Sequence, residues 1–211
     1  MSRNNTFTNP IFPLGGSEFV LSARFSLPYS LWNGVDYANL GDLEKFQDDD
    51  GNPDPAKIEQ EKFKWLEFYK IKFKGSWYTR LFDKLVLRTH TEFGFLGAFN
   101  NDRGVIPFDR FFLGGDGMSQ YAMDGRETIS LRGYPNQSLS SQDGSTIYNR
   151  FSLELRYPIT LKPAASIFGL TFMETGQGYN NFREFNPFNG KRSVGLGLRI
   201  FMPAFGLLGI D

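Results

Sequence analysis

This sequence of 211 residues lacks several features that commonly define a fold or a binding partner. It has no cysteine, which excludes disulfide bonds and cysteine-ligated metal sites. No apolar run approaches the roughly 20 residues that a membrane-spanning helix requires. The formal net charge at pH 7 is zero, so the composition indicates no nucleic-acid partner. Residues 1–7 also lack the apolar stretch of a signal peptide.

Aromatic residues are abundant, and apolar and polar residues alternate over long stretches. An aromatic content of 17% suits a lipid-facing surface with aromatic girdles. Side chains on a strand point alternately to opposite faces. Strands of soluble proteins usually run about 5–6 residues, whereas a tilted strand needs roughly 9–11 to cross a bilayer. The clearest stretch, 68–82, sets one mainly apolar face against one polar and cationic face: Tyr69, Ile71, Phe73, Trp77, Thr79 and Leu81 against Lys70, Lys72, Lys74, Ser76, Tyr78 and Arg80.

The pattern predicts an all-β fold, a portion of a transmembrane antiparallel up-and-down β-barrel. The connections between the predicted strands are alternately short and long. Outer-membrane barrels have short periplasmic turns and long extracellular loops, and a β-sandwich would not require connections of alternating length. Seven strands cannot close a bacterial barrel, which has an even number, so we expect an open, curved sheet with two unpaired edges. The strands are predicted at 16–32, 68–82, 85–99, 147–161, 164–178, 191–202 and from Leu207 to the end of the sequence. Short turns lie at 83–84, 162–163 and 203–206, and long loops at 33–67, 100–146 and 179–190.

The stretch 164–178 departs from the alternation because both of its faces are apolar. Ile167 lies on one face, and Phe168, Leu170 and Phe172 lie on the other, up to Glu174. A strand buried on both sides has this pattern. We expect another segment, the long loop, to pack inside the barrel against it. A loosely patterned piece of wall is the alternative.

Two short motifs lie in the longest loop. The first is Phe-x-x-Gly-Gly, with Phe111, Gly114 and Gly115, and the second is the stretch Leu131, Arg132, Gly133 and Tyr134. An isolated Arg-Gly-Tyr is a weak signal, because glycine there can simply supply a positive φ in a turn.

The combination of these motifs with later ones resembles the barrel of the Omp85 family. The later motifs are Leu-Glu-Leu-Arg-Tyr-Pro-Ile at 153–159 and Phe-Met-Glu-Thr-Gly at 172–176. Further similar stretches at 9–13, 28–31, 84–88, 200–203 and 205–209 extend the resemblance to nearly the whole chain.

The resemblance implies how the chain is organised. Residues 1–211 would form part of a C-terminal barrel domain, with the first half of the barrel, the closing strand and the periplasmic POTRA domains outside this sequence. The loop 100–146 would fold into the lumen, with Phe111, Gly114 and Gly115 at its base. Arg132 would then meet Glu154 and Glu174 on the inner wall. The family usually carries aspartate at the position of Glu174.

The resemblance also implies a function without catalysis or cofactor: inserting and folding β-barrel proteins into the bacterial outer membrane. The partners would be outer-membrane lipids, unfolded outer-membrane β-barrel proteins and other subunits of the assembly machinery, with no nucleic acid. A polypeptide transporter of the same family and a porin-like passive channel remain alternatives.

Two other signals are interpreted without a chemical role. His90 is the single histidine, and we expect no serine or cysteine nucleophile beside it, so an enzyme such as a lipase is disfavoured. The acidic stretch 48–54 does not fit an EF-hand, because Phe46 occupies the first ligand position, so we expect a solvated turn and no metal.

Overall fold

The protein folds around one eight-stranded antiparallel sheet, which confirms the predicted fold class. The computed structural model describes residues 1–6, 11–116 and 126–211. The elements are β1 (Ser2–Thr6), β2 (Gly16–Phe25), α1 (Pro55–Phe63), β3 (Tyr69–Phe82), β4 (Leu85–Gly97), β5 (Phe111–Leu113), β6 (Glu127–Ile129), β7 (Ile147–Lys162), β8 (Ala165–Tyr179), β9 (Lys191–Met202) and β10 (Gly206–Ile210). The sheet order is β1-β2-β3-β4-β7-β8-β9-β10, and β5 and β6 form a separate parallel pair. In the described part of the chain, the sheet is open, with β1 and β10 at its edges.

The central strands are long enough to cross a bilayer, and their two faces differ as predicted. β3, β4, β7, β8 and β9 have 12 to 16 residues each, above the roughly 9–11 that a tilted strand requires. On the outer face, Val194 and Leu196 are 78% and 75% exposed, as expected for side chains that meet lipid. On the inner face, Ser152 and Glu154 are buried. No helix of the described residues is long and apolar enough to span a membrane.

The first part of the sheet differs from the prediction. β1 pairs with β2 and makes the eighth strand, which sequence patterning missed because its five residues are polar and show no alternation. The predicted strand 16–32 ends at Phe25, and a short 3-10 helix, Tyr29–Leu31, follows. Pro28 has no N–H to donate to a neighbouring strand. The backbone N–H and hydroxyl of Ser30 instead donate to buried Glu67, at 2.8 and 2.6 Å.

The acidic stretch 48–54 forms local turn and cap structure. Asp48 accepts hydrogen bonds from the backbone N–H groups of Asp50 and Asn52. Asp54 caps α1 by accepting from Ala56 and Lys57. Among the residues that the structure describes, no group of three or more histidine or acidic side chains is arranged to hold a metal ion.

The inner face of β8 is covered by two different segments. Phe168 packs against Phe12, from the segment before β2, with ring centroids 5.2 Å apart, and Val86 belongs to the same buried cluster. Phe172 instead lies under Arg132 of the long loop, 3.8 Å from the ring centroid to the guanidinium carbon. The long loop thus contacts this face at Phe172, whereas Phe12 covers it at Phe168. Residues 9 and 10, which belong to the resembling stretch 9–13, lie outside the described residues.

We predict that Phe12→Ala lowers the free energy of unfolding of the full-length protein in detergent by about 3–5 kcal/mol, because it leaves a cavity beside Phe168. Urea denaturation measures the change. The control is Phe205→Ala, whose side chain is 75% exposed at a turn and which we expect to change stability by less than about 0.5 kcal/mol. Equal stability of the two variants would contradict the packing role of Phe12.

Candidate functional site

The loop between β4 and β7, residues 98–146, is called the inner loop here because it packs on the inner face of the sheet. Its Gly-Gly pair explains how it folds. Gly114 and Gly115 both have positive φ, 119° and 107°, a region that favours glycine. Their N–H groups donate to the carbonyls of Ile129 and Tyr134, at 3.0 and 2.9 Å. A Cβ on Gly114 would lie 2.4 Å from the carbonyl oxygen of Pro135, so only glycine lets the two chain segments approach.

Phe111, which precedes the Gly-Gly pair, packs the inner loop against the sheet. Its ring is fully buried and contacts the ring of Tyr148 at 4.7 Å in an edge-on arrangement. Gly94 of β4 makes the space, because a Cβ there would lie 2.1 Å from the Tyr148 ring. The ammonium group of Lys70 lies 4.6 Å from the Phe111 ring centroid, a favourable cation–π distance.

Two lysines of β3 hold the inner loop through its acidic groups. Lys70 Nζ lies 2.8 Å from Glu127 and 3.0 Å from Asp109, and Lys72 Nζ lies 2.7 Å from Glu127. Burial raises the pKa of both carboxyl groups, but the hydrogen bonds and charges of Lys70, together with Arg24 at Asp109 and Lys72 at Glu127, outweigh it and hold both pKa values below the ordinary range. The inner loop is therefore attached to β3 by ionised pairs.

Arg132 attaches the other end of the inner loop to β8. Its Nε and Nη2 donate to Oε1 of Glu174, at 3.1 and 2.6 Å. Its backbone N–H donates to Oε2 of the same carboxylate, at 3.0 Å. Arg132 is 4% exposed and Glu174 is 1% exposed, so the contact is shielded from water. Charged hydrogen bonds of this kind are stronger than neutral ones.

Glu154 of β7 is the second acidic partner of Arg132, and three further arginines complete the group. Arg132 Nη2 donates to Glu154 Oε1 at 2.6 Å. We call the set of Arg132, Glu154 and Glu174 the arginine clamp. The surrounding ion pairs are Arg156 to Glu154, Arg88 to Glu154, Arg150 to Glu174 and Arg150 to Glu92. Each buried carboxylate thus has more than one cationic partner.

The residues next to Arg132 in the chain make two further contacts, one within the inner loop and one with β9. Leu131 is buried at 1% exposure and forms a bridge with Gly115. Gly133 has a positive φ of 84°, which turns the chain after Arg132. The hydroxyl of Tyr134 donates to the backbone carbonyl of Arg192 in β9, at 2.8 Å. The stretch 131–134 therefore contacts β7, β8 and β9.

Sequence reasoning overlooked Arg150 as the link between Glu92 and Glu174. Alternation along β7 puts Arg150 on the inner face but does not show that it lies opposite Glu92. The register of β4 and β7 pairs the two residues directly. Strand register depends on the whole sheet, so the pattern within one strand does not show it.

The expectation that no serine lies beside His90 is wrong. His90 Nδ1 lies 2.8 Å from Ser76 Oγ, and His90 Nε2 lies 2.8 Å from Glu92 Oε1, because the sheet register places Ser76 opposite His90. The hydroxyl is nevertheless enclosed. Ser76 is 2% exposed, and Arg88 Nη2 donates to the same oxygen at 3.1 Å. A nucleophile has to reach its substrate, so these contacts are better explained as a buried polar network.

A transmembrane strand wall with a folded loop fastened inside it defines a class of bacterial outer-membrane barrel proteins. A family model described as the Omp85 superfamily domain matches residues 5–211, so the chain belongs to the Omp85 superfamily and is an outer-membrane protein of Gram-negative bacteria. Its fold is similar to the crystal structure of BamA from Haemophilus ducreyi lacking POTRA domains 1–3, with a TM-score of 0.62 and 20% sequence identity. The match covers 99% of this chain and 36% of that chain, so this chain spans about a third of the length of that shortened BamA chain. A search of curated protein sequences gave no match.

We predict that Arg132→Ala lowers the free energy of unfolding of the full-length protein by about 3 kcal/mol, the lower end of the range for breaking a buried ion pair. The lower end applies because Arg150 and Arg156 still compensate the two glutamates. Urea denaturation in detergent measures the loss, and limited proteolysis reports whether the inner loop stays protected. Arg80→Ala removes an exposed arginine and should leave both readouts unchanged. An inner loop that stays fully protected in Arg132→Ala would refute the role of the arginine clamp.

Proposed function

We propose that this chain is part of the barrel of a BamA-like assembly factor, which inserts and folds β-barrel proteins into the outer membrane. The observation that carries the proposal is the arginine clamp, through which the inner loop holds the neighbouring strands β7 and β8. In this proposal residues 1–211 belong to the C-terminal part of the barrel and the inner loop lies in its lumen. Family membership supports the same conclusion.

The proposed role of the inner loop is mechanical. β9 and β10 lie at one edge of the sheet, and the stretch 131–134 contacts β7, β8 and β9 just inside that edge. A wall held in a fixed curvature keeps the neighbouring strands of the complete barrel in position, and the unpaired strand edge at the seam of such a barrel can pair with an incoming strand by β-augmentation. Arg132, Glu154 and Glu174 act as positioning residues for the wall and perform no chemistry.

The proposed partners follow from this role. They are unfolded outer-membrane β-barrel proteins, the surrounding lipids and other subunits of the assembly machinery. Neither a cofactor nor a catalytic step is required, because strand pairing and burial of the lipid-facing side chains provide the free energy of insertion.

Two other functions make different demands on the same wall. A passive channel needs an open lumen, which the packing of the inner loop on β3, β7 and β8 disfavours. A polypeptide transporter of the same superfamily would move its client through the lumen. Such a protein would have to release the inner loop during transport.

The test uses the full-length protein reconstituted in liposomes, with an unfolded outer-membrane β-barrel protein as client. We expect wild-type protein to accelerate the folding of the client, seen as a shift in gel mobility without heating. Arg132→Ala should reduce the rate about tenfold, because each 1.4 kcal/mol lost lowers the equilibrium constant for docking of the inner loop tenfold.

The matched control is Arg80→Ala, which removes the same charge from an exposed position and should keep the wild-type rate. A client that appears inside the liposome lumen would support transport instead. Solute release without client folding would support a channel. Either result, or full activity of Arg132→Ala, would overturn the proposed function.

A further inference from the structure

The loop between β8 and β9, residues 180–190, lies against the outer face of the wall, and we call it the outer loop. Phe182 of this loop stacks on Phe95 of β4, with ring centroids 5.4 Å apart and an interplanar angle of 3°. Phe95 shares a row of the sheet with Ile147 and Tyr179. By strand alternation this row is on the same side as the lipid-facing residues.

Two further contacts show that the outer loop covers this part of the wall. Asn149 belongs to the lipid-facing side of β7, yet it is fully buried, and its Nδ2 donates to the carbonyl of Pro187 at 3.2 Å. At the end of the outer loop, a Cβ on Gly190 would lie 2.5 Å from Thr175 Oγ1. The outer loop is therefore closely packed on the wall at its extracellular end, opposite to the inner loop.

A cleft of about 410 Å³ lies between the outer loop and the wall. This volume is within the roughly 300–1,000 Å³ of ligand pockets. Its outer-face lining is mainly apolar, includes one guanidinium group and contains Phe151, Leu153, Met173, Thr175, Phe188 and Arg192. Pro187, Ser152 and Glu174 complete the lining. Phe188 is 82% exposed and Met173 is 56% exposed, so the cleft opens to the lipid side.

Arg192 lies at the level where lipid headgroups begin. It occupies the outer-face row of Phe151 and Thr175. The next outward positions of β9 toward the periplasm are apolar, beginning with Val194 and Leu196, which are highly exposed. Arg192 thus marks the extracellular end of the apolar band. No acidic side chain of the described residues forms an ion pair with its guanidinium.

We infer that the outer loop and Arg192 form a binding site for one phosphate-bearing, acylated glycolipid of the outer leaflet. An acyl chain fits the apolar cleft, and the guanidinium forms paired hydrogen bonds with a phosphate. The site lies at the extracellular ends of the strands, so the ligand comes from the outer leaflet. In a Gram-negative outer membrane this leaflet consists of phosphorylated glycolipid. Inorganic phosphate would leave the apolar part of the cleft unfilled.

The experiment measures lipid binding to the full-length protein in phosphatidylcholine nanodiscs. The probes are diphosphorylated lipid A, its dephosphorylated analogue and phosphatidylglycerol, and native mass spectrometry counts the bound molecules. We expect one lipid A to bind, more tightly than either of the other two lipids. Arg192→Gln should weaken lipid A binding by about tenfold, the effect of losing one charged hydrogen-bonding group, and leave the dephosphorylated analogue unaffected. Phe188→Ala should weaken both.

The matched control is Arg183→Gln, which removes the same charge from the start of the outer loop. The stacking of its neighbour Phe182 on Phe95 places that end above β4, three strands away from β9 in the sheet. Equal losses in Arg183→Gln and Arg192→Gln would overturn the site, since they would indicate general charge attraction. Tighter binding of phosphatidylglycerol would overturn the choice of glycolipid.

A substitution at Arg192 keeps the hydrogen bond between Tyr134 and β9, because Tyr134 donates to the backbone carbonyl of Arg192. The substitution therefore leaves the attachment of the inner loop in place. If Arg192→Gln does not fold, the binding of the same lipids to Arg192→Lys is measured instead. This variant keeps the charge but loses the paired geometry, so we expect weaker binding of lipid A than in wild type and unchanged binding of the dephosphorylated analogue. Wild-type affinity of Arg192→Lys for lipid A would refute the paired phosphate contact.

Discussion

The burial of one guanidinium group between two carboxylates is the interaction on which the rest of this structure depends. Arg132 and its partners Glu154 and Glu174 are each at most 4% exposed, and a buried charge without a partner is costly. The carboxylates belong to the wall and the arginine belongs to the inner loop. Arg132 finds both of these carboxylates on the wall, so the docked state of the inner loop depends on the wall.

The inner loop is held at two separated places on the concave side of the sheet. Lys70 and Lys72 hold it on β3, and the arginine clamp holds it on β7 and β8. β4 lies between these attachments in the sheet order, and the ring of Phe111 packs there beside Gly94. A segment that is fixed at two separated places on the concave face of a curved sheet opposes flattening of that sheet. The open sheet can thus keep the curvature of a barrel.

Local patterning predicted the parts of the fold that depend on local chemistry. Alternation identified the lipid-facing and inner faces of β3, β4, β7 and β9, because lipid and lumen make opposite demands on neighbouring residues. It missed β1, whose polar residues show no such contrast, and it extended β2 past Pro28. The contacts of His90 and Arg150 were missed for another reason. They arise from the register between strands, which no single strand determines.

The arginine clamp itself was expected from the family resemblance, since its members are 22 and 42 residues apart in the chain and no spacing rule connects them. The inward position of Glu154 follows from alternation alone. The inward position of Glu174 depended on finding a partner for the apolar residues before it. Two partners exist, and one of them, Phe12, has no signal in the sequence that links it to β8.

β8 is the strand at which the two sides of the wall meet. Glu174 points into the lumen, and its immediate neighbours Met173 and Thr175 line the cleft under the outer loop. Adjacent residues share peptide planes, so a twist of the backbone on the lipid side also moves the carboxylate that Arg132 holds. The charged hydrogen bonds there tolerate only small changes in distance and angle. The cleft under the outer loop and the arginine clamp therefore share one strand, and their geometries are linked through its backbone.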